Sequence, residues 1–173
     1  YNLNDAKKDI ILDQKFYKFY RKFSPGPITY IVKKKNNSRI NPLACANLKT
    51  VGIRFPKNKI IRKVLKELSF PLAMPSANKS TNVSPVCAKD VFDEFQNKIQ
   101  LIIDGGKSKV GIESTVIDLS DEPRILRPGV IDKNSIEKIL KLRIKKNTRN
   151  KIAKSPGLMK KHYSPGMPVL INQ

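Results

Sequence analysis

The chain has 173 residues and a formal net charge of +21, enough length for one domain with a buried core or one domain with an appendage. No apolar run reaches the length of a membrane-spanning helix, the start carries no signal-peptide pattern, and a single histidine, His162, argues against a zinc site. The charge favours polyanionic partners (RNA, DNA or nucleotide phosphates), with the alternative that lysines spread along the chain, with runs at 33–35 and within 141–154, are simply solvated.

Leu12, Phe16, Phe19 and Phe23 recur at helical spacing and predict an amphipathic α-helix. Ser24-Pro25-Gly26-Pro27 stops it, because two prolines and a glycine cannot continue a helix. Ile28-Thr29-Tyr30-Ile31-Val32 is β-branched and aromatic and reads as a strand, followed by a polar loop over 33–42. Cys45 and Cys87 lie far apart without a metal-ligand pattern and are expected to be small buried side chains of a reduced, cytosolic protein. Thr50-Val51-Gly52-Ile53-Arg54-Phe55 alternates up to Pro56 and predicts a second strand. An arginine in such a strand, Arg54, lies on a solvated face or aims into a site. Asn58 is placed to cap a helix whose apolar stripe is Ile61, Val64, Leu65 and Leu68.

Leu72-Ala73-Met74 reads as a short strand that stops at Pro75 and enters the polar stretch 76–84. Strand ends followed by Ser, Asn and Thr are where α/β proteins place ligand groups, although a surface turn held by Ser and Asn has the same composition. Ser84 before Pro85 predicts a helix start, with Val91, Phe92, Phe95 and Ile99 on the buried face. Leu101-Ile102-Ile103 predicts a buried strand closed by Asp104-Gly105-Gly106. A strand over 114–119 and its hairpin partner over 124–127 end at Pro128-Gly129, and Asn134 or Ser135 opens a last helix through Ile136, Ile139 and Leu140. From about residue 143 the sequence turns basic and polar, as a linker or mobile arm does, and a Pro/Gly-rich segment over 155–165 follows. Interleaved strands and helices with a late hairpin make the domain α/β with mixed strand directions.

No phosphate-binding glycine loop or dinucleotide fingerprint is present, and the histidine lies outside the folded part. The remaining candidates are Thr50, Arg54, Ser76, Asn78, Ser84, Ser114 and Arg127. Hydroxyls, amides and guanidinium forks hold phosphate and carboxylate oxygens, so such a site works by positioning and charge stabilisation rather than by a protein nucleophile. Each also has a plain reading: Thr50 and Ser114 as strand residues, Ser84 as a cap, Arg127 as a surface cation.

Ser24-Pro25-Gly26-Pro27-Ile28-Thr29, Val51-Gly52-Ile53-Arg54-Phe55-Pro56, Pro75-Ser76-Ala77-Asn78, Asp104-Gly105-Gly106, Glu113-Ser114-Thr115-Val116 and Leu126-Arg127-Pro128-Gly129 follow one another in an order that resembles the threonylcarbamoyl-AMP synthase (YrdC-like) family. Ser155-Pro156-Gly157 and His162-Tyr163-Ser164-Pro165 resemble the linker of its longer members. The resemblance implies a twisted mixed β-sheet flanked by helices, with an extended basic C-terminal linker. It divides the chain into a synthase domain over 1–143, lacking an N-terminal segment with a Lys-x-Arg pair, and a basic linker over 144–173 toward a missing C-terminal domain.

The implied activity is that of a nucleotidyltransferase, condensing L-threonine, bicarbonate and ATP, the last as its Mg²⁺ complex, into threonylcarbamoyl-AMP and pyrophosphate. No tightly bound cofactor is implied. The product feeds the threonylcarbamoyl-transferase machinery that modifies adenosine 37 of tRNA, in the cytoplasm and away from membranes. Arg54, Met74 and Ser114 match threonine-binding positions. Thr50, Ser76, Ser84, Arg127 and Tyr163 match ATP-binding ones, and Asn78 adjoins them in the same turn. A chain without the Lys-x-Arg pair is expected to have reduced activity by itself. The alternatives are a non-catalytic module binding double-stranded RNA or tRNA, and a decayed reading frame.

Overall fold

Alternation along Ile28-Thr29-Tyr30-Ile31-Val32 puts Ile28, Tyr30 and Val32 on one face of a strand, and all three are buried. The computed structural model describes residues 2–144. In chain order the helices and strands are α1 (Leu3–Ala6), α2 (Gln14–Phe23), β1 (Ile28–Lys33), β2 (Thr50–Ile53), α3 (Lys59–Glu67), α4 (Ala88–Phe95), β3 (Thr115–Asp118), β4 (Arg124–Arg127) and α5 (Lys133–Leu140). Of the described residues, 2–73 and 112–144 belong to one unit and 74–111 to another.

The first unit holds a twisted sheet of order β2-β1-β3-β4. β1 runs antiparallel to β2 and parallel to β3, and β3 forms the expected antiparallel hairpin with β4, so the sheet is mixed. Helix α2 is capped by Asp13, whose carboxylate accepts the Phe16 N–H at 2.8 Å. It drives Phe16 and Phe19 onto the sheet, where Phe16 meets Tyr30 edge-on at 5.0 Å between ring centroids. Ile117 of β3 and Ile136 of α5 complete the centre of this core. Each such side chain contributes about 1.5–3 kcal/mol on burial. The Tyr30 hydroxyl shares a 2.8 Å hydrogen bond with Ser24, and burial raises its pKa. Asp9, almost fully buried, accepts the Arg39 backbone N–H at 2.8 Å and two guanidinium bonds at 3.1 and 2.6 Å. Those bonds, ahead of the opposing effect of burial, hold its carboxyl below the usual carboxylate range.

Several expectations change here. Helix α5 opens at Lys133 under an Asp132 cap, which accepts both the N–H and the hydroxyl of Ser135, so Ser135 supports the cap from inside the helix. Asn58 caps α3 as expected, but none of that helix's stripe is fully buried. Leu72 to Met74 forms no strand, since Pro71 and Pro75 on either side have no N–H to give a ladder. Cys45 and Cys87 are both half-buried rather than buried.

Unit 74–111 differs most. Ser84-Pro85 does not start the helix: α4 begins at Ala88 with Cys87 at the cap, because Asp90 reaches back to the N–H groups of Val86 and Cys87 at 2.8 and 3.1 Å. None of its described residues is buried. Phe92 is 56% exposed, and Leu101-Ile102-Ile103, expected as a buried strand, lies outside any strand with Leu101 75% and Ile103 55% exposed. No described strand falls within residues 74–111.

Candidate functional site

At the end of the sheet where β1 begins, four segments meet around Ser114. Its hydroxyl lies 3.1 Å from that of Thr29 on β1, while the Thr115 N–H donates to Pro27 O at 3.1 Å. Arg127 donates from Nε to Ser114 O at 3.1 Å and from Nη2 to Ser114 Oγ at 3.0 Å, and Nη2 stands 3.5 Å from the Glu113 carboxylate. A register irregularity between Val116 and Ile117 falls beside the Val116–Arg127 pair, a device that bends a strand and re-aims a side chain.

Two backbone approaches hold this cluster. A side-chain carbon on Gly129 would sit 2.5 Å from both Glu113 O and Thr115 N, so only glycine lets the chain after β4 lie against 113–115. Thr115 Oγ1 then donates to Ile131 O and accepts the Ile131 N–H, both at 2.9 Å. On the other side, the Gly26 N–H donates to Phe55 O at 2.9 Å, and Arg54 Nε donates to Gly26 O at 3.3 Å. The Ser-Pro-Gly-Pro turn that ends α2 therefore also sets the plane of the Arg54 fork.

Arg54 keeps part of its surface open, yet burial among its neighbours lowers its pKa; the Glu113 charge raises it and the Arg127 charge lowers it. Two guanidiniums with one carboxylate leave a net positive site, edged by the hydroxyls of Thr29 and Ser114. Such a site receives an oxyanion, and an arginine fork receives a carboxylate in two-point fashion.

Of the predicted residues, Arg54, Ser114 and Arg127 belong to this constellation. Thr50 sits at the far end of β2, paired with Lys33, and makes none of these contacts. Met74, Ser76, Asn78 and Ser84 all lie in unit 74–111, and Tyr163 lies outside the described residues. In that unit, the Asn78 amide donates to Lys79 O at 2.8 Å and Asn82 O at 3.0 Å, leaving its own oxygen buried without a partner. Glu113 and Thr29 were missed as site residues. Both stand within the quoted motifs, and the signal for Glu113 was its charge directly beside Ser114.

Neither of two shallow clefts in the sheet unit holds these residues. One of about 470 Å³ lies beside α5 and one of about 450 Å³ beside the β3–β4 turn. Among the described residues no group of three or more His, Cys, Asp or Glu side chains could hold a metal ion, and no helix is long and apolar enough to cross a membrane.

A Sua5/YciO/YrdC family model, described as telomere recombination, matches residues 1–129, and one described as the threonylcarbamoyl-AMP synthase C-terminal domain matches residues 131–173. The threonylcarbamoyl-AMP synthase of Pyrococcus abyssi is 39% identical over 157 residues, covering 87% of this chain and 45% of that protein. That of Schizosaccharomyces pombe is 36% identical over 173 residues, covering 93% of this chain and 42% of its own length. The crystal structure of P. abyssi Sua5 complexed with L-threonine superposes with a TM-score of 0.86 at 33% identity, covering 94% of this chain and 49% of that one. The chain spans less than half the length of these relatives.

Proposed function

The chain belongs to the threonylcarbamoyl-AMP synthase (Sua5/YciO/YrdC) family, and from that premise we propose that it condenses L-threonine, bicarbonate and ATP into threonylcarbamoyl-AMP and pyrophosphate. The observation that carries the proposal is the oxyanion site formed by Arg54, Ser114 and Arg127 with Glu113 and Thr29. Arg54, oriented through Gly26 O, receives the threonine carboxylate; the Ser114 hydroxyl takes the threonine side chain, and the Met74 backbone adds a third contact. Glu113 offsets the repulsion between the two guanidiniums and keeps both in place.

In the reaction, the threonine amine and bicarbonate give a carbamate with loss of water. A carbamate oxygen attacks the α-phosphorus of ATP, and the bond to the β-phosphate oxygen breaks to release pyrophosphate. No protein nucleophile is required. Positioning and charge stabilisation supply the catalysis. Thr50, Ser76, Asn78, Ser84, Arg127 and Tyr163 are the proposed ATP contacts, and Mg²⁺ arrives with ATP as part of the substrate. Delivery of the product to a tRNA-modifying transferase, a cytoplasmic setting, and the division into a synthase domain over 1–143 and a linker over 144–173 belong to the same proposal.

Calorimetric titration with L-threonine and Mg-ATP tests this, on the wild-type chain and on Arg54→Ala. Loss of a charge-assisted hydrogen bond costs about 1.5–3 kcal/mol, so threonine affinity should fall roughly 10- to 100-fold. A folded wild-type chain that binds neither ligand sinks the synthase reading. The +21 charge would then favour the RNA-binding alternative, which predicts affinity falling steeply with added salt.

A further inference from the structure

The segment 76–87 runs through unit 74–111 with little backbone pairing of its own. One internal turn closes it, from the Asn82 N–H to Lys79 O at 3.1 Å, and Val86 O accepts the Ser108 N–H at 2.7 Å. Within it, Thr81 has φ of 78°, a left-handed conformation that a β-branched residue adopts only under constraint. The buried, unpartnered Asn78 oxygen lies three residues away. Turning that amide over would give the oxygen no benefit without surrendering both bonds made by its nitrogen. A segment with these two unfavourable features must be held from outside.

Helix α4 holds it. Glu94 Oε1 accepts the Lys79 backbone N–H at 2.8 Å and the Asn82 side-chain N–H at 2.8 Å, bracketing Thr81 from both sides. One turn earlier on the same helix face, Asp90 accepts the N–H groups of Val86 and Cys87. The two carboxylates therefore grip both ends of 79–87. The Lys79 and Asn82 bonds hold the Glu94 carboxyl below its ordinary range, as a carboxylate committed to donors should be.

We propose that Glu94 is a positioning residue for the nucleotide subsite: its carboxylate sets where Ser76, Asn78 and Ser84 present their polar groups to ATP. This rests on the synthase reading for the role of those three residues. Glu94 itself touches no substrate in this proposal. It acts by keeping the loop in its binding-competent arrangement, so that removing it leaves that arrangement only fractionally populated and raises the apparent dissociation constant in proportion.

The test compares the wild-type chain with Glu94→Ala and Glu94→Gln. Mg-ATP and L-threonine affinities are read by calorimetry, and amide exchange of Lys79 by mass spectrometry or NMR. Glutamine keeps one oxygen where Oε1 stands and can accept both N–H groups. The expected result for Glu94→Ala is an ATP dissociation constant raised on the order of tenfold, faster Lys79 exchange and unchanged threonine affinity. Glu94→Gln should restore most of both losses. Glu94→Ala binding ATP as the wild type does would overturn the inference and leave the synthase reading standing. Loss of ATP and threonine binding together, with no rescue by glutamine, would also overturn it, by showing general support of the fold. A wild-type chain that binds threonine but no ATP removes the nucleotide reading and this inference with it.

Discussion

Two regions of this chain are held together by different physics. In residues 2–73 and 112–144, Phe16, Phe19, Ile28, Tyr30, Ile117 and Ile136 are sealed between a sheet and its helices, and the arginine cluster is anchored to backbone fixed by that core. In residues 74–111 no described residue is buried as a whole, and order comes from side chains gripping backbone: Asp90, Glu94 and Asn78. Burial is cooperative and tolerates the loss of single polar bonds. A polar clamp over open apolar surface depends on each of its few bonds, so local opening should begin there.

The largest expected effect breaks this comparison by making one chemical change in each region. Phe19→Ala removes a fully buried ring and should destabilise the sheet unit by about 3–5 kcal/mol. Phe92→Ala removes a ring that is more than half exposed, and should change stability by about 0.5 kcal/mol or less. Urea melts of both variants decide it. Equal losses would mean that Phe92 is covered by apolar partners and that the two regions share one kind of support.

A smaller effect separates the regions by pH. Asp9 of the sheet unit has its pKa lowered by Arg39, so its contribution is complete above the unfolded carboxylate value near 3.9 and fades as pH falls through the lower folded value. Asp9→Asn removes that titration: thermal melts should show the variant less stable at neutral pH, with the gap to wild type closing as acid is added. A constant gap across that range would contradict the paired, ionised Asp9. Asp90 and Glu94 carry the same sign of shift, so acid should loosen 79–87 over a similar window.

The same contrast explains what could be read from the sequence. Periodicity reports burial, and where a core exists it located α2, β1, β2 and the β3–β4 hairpin. Leu101-Ile102-Ile103 and the Phe92 face gave an equally apolar signal, but an apolar run predicts burial only if something lies against it. The start of α4 was hidden for another reason. Ser84-Pro85 is a good local signal, yet Asp90, three residues beyond Cys87, competes for the cap and takes two N–H groups at once. Arg54, Ser114 and Arg127 were legible as residue types suited to oxyanions. That they meet depends on Gly129 and on the Gly26 turn, whose roles are close approaches between distant segments that spacing cannot show.

The smallest effect sharpens the account of the clamp itself. If Glu94 holds Thr81 in a conformation that costs free energy, then relieving the cost at Thr81 should tighten the loop without touching either bond made by Glu94. Glycine adopts positive φ freely, so Thr81→Gly removes the strain, at the expense of a more flexible unfolded chain. A single left-handed residue costs about 1.5 kcal/mol and the added flexibility about 0.5–1, leaving a net local gain of about 0.5–1 kcal/mol. That corresponds to roughly two- to fivefold slower exchange of the Asn82 amide, whose N–H closes the turn on Lys79 O, with the melting of the sheet unit unmoved. Unchanged or faster exchange would mean that the left-handed residue is relaxed where it stands, and that Glu94 decorates a loop already settled by its own sequence.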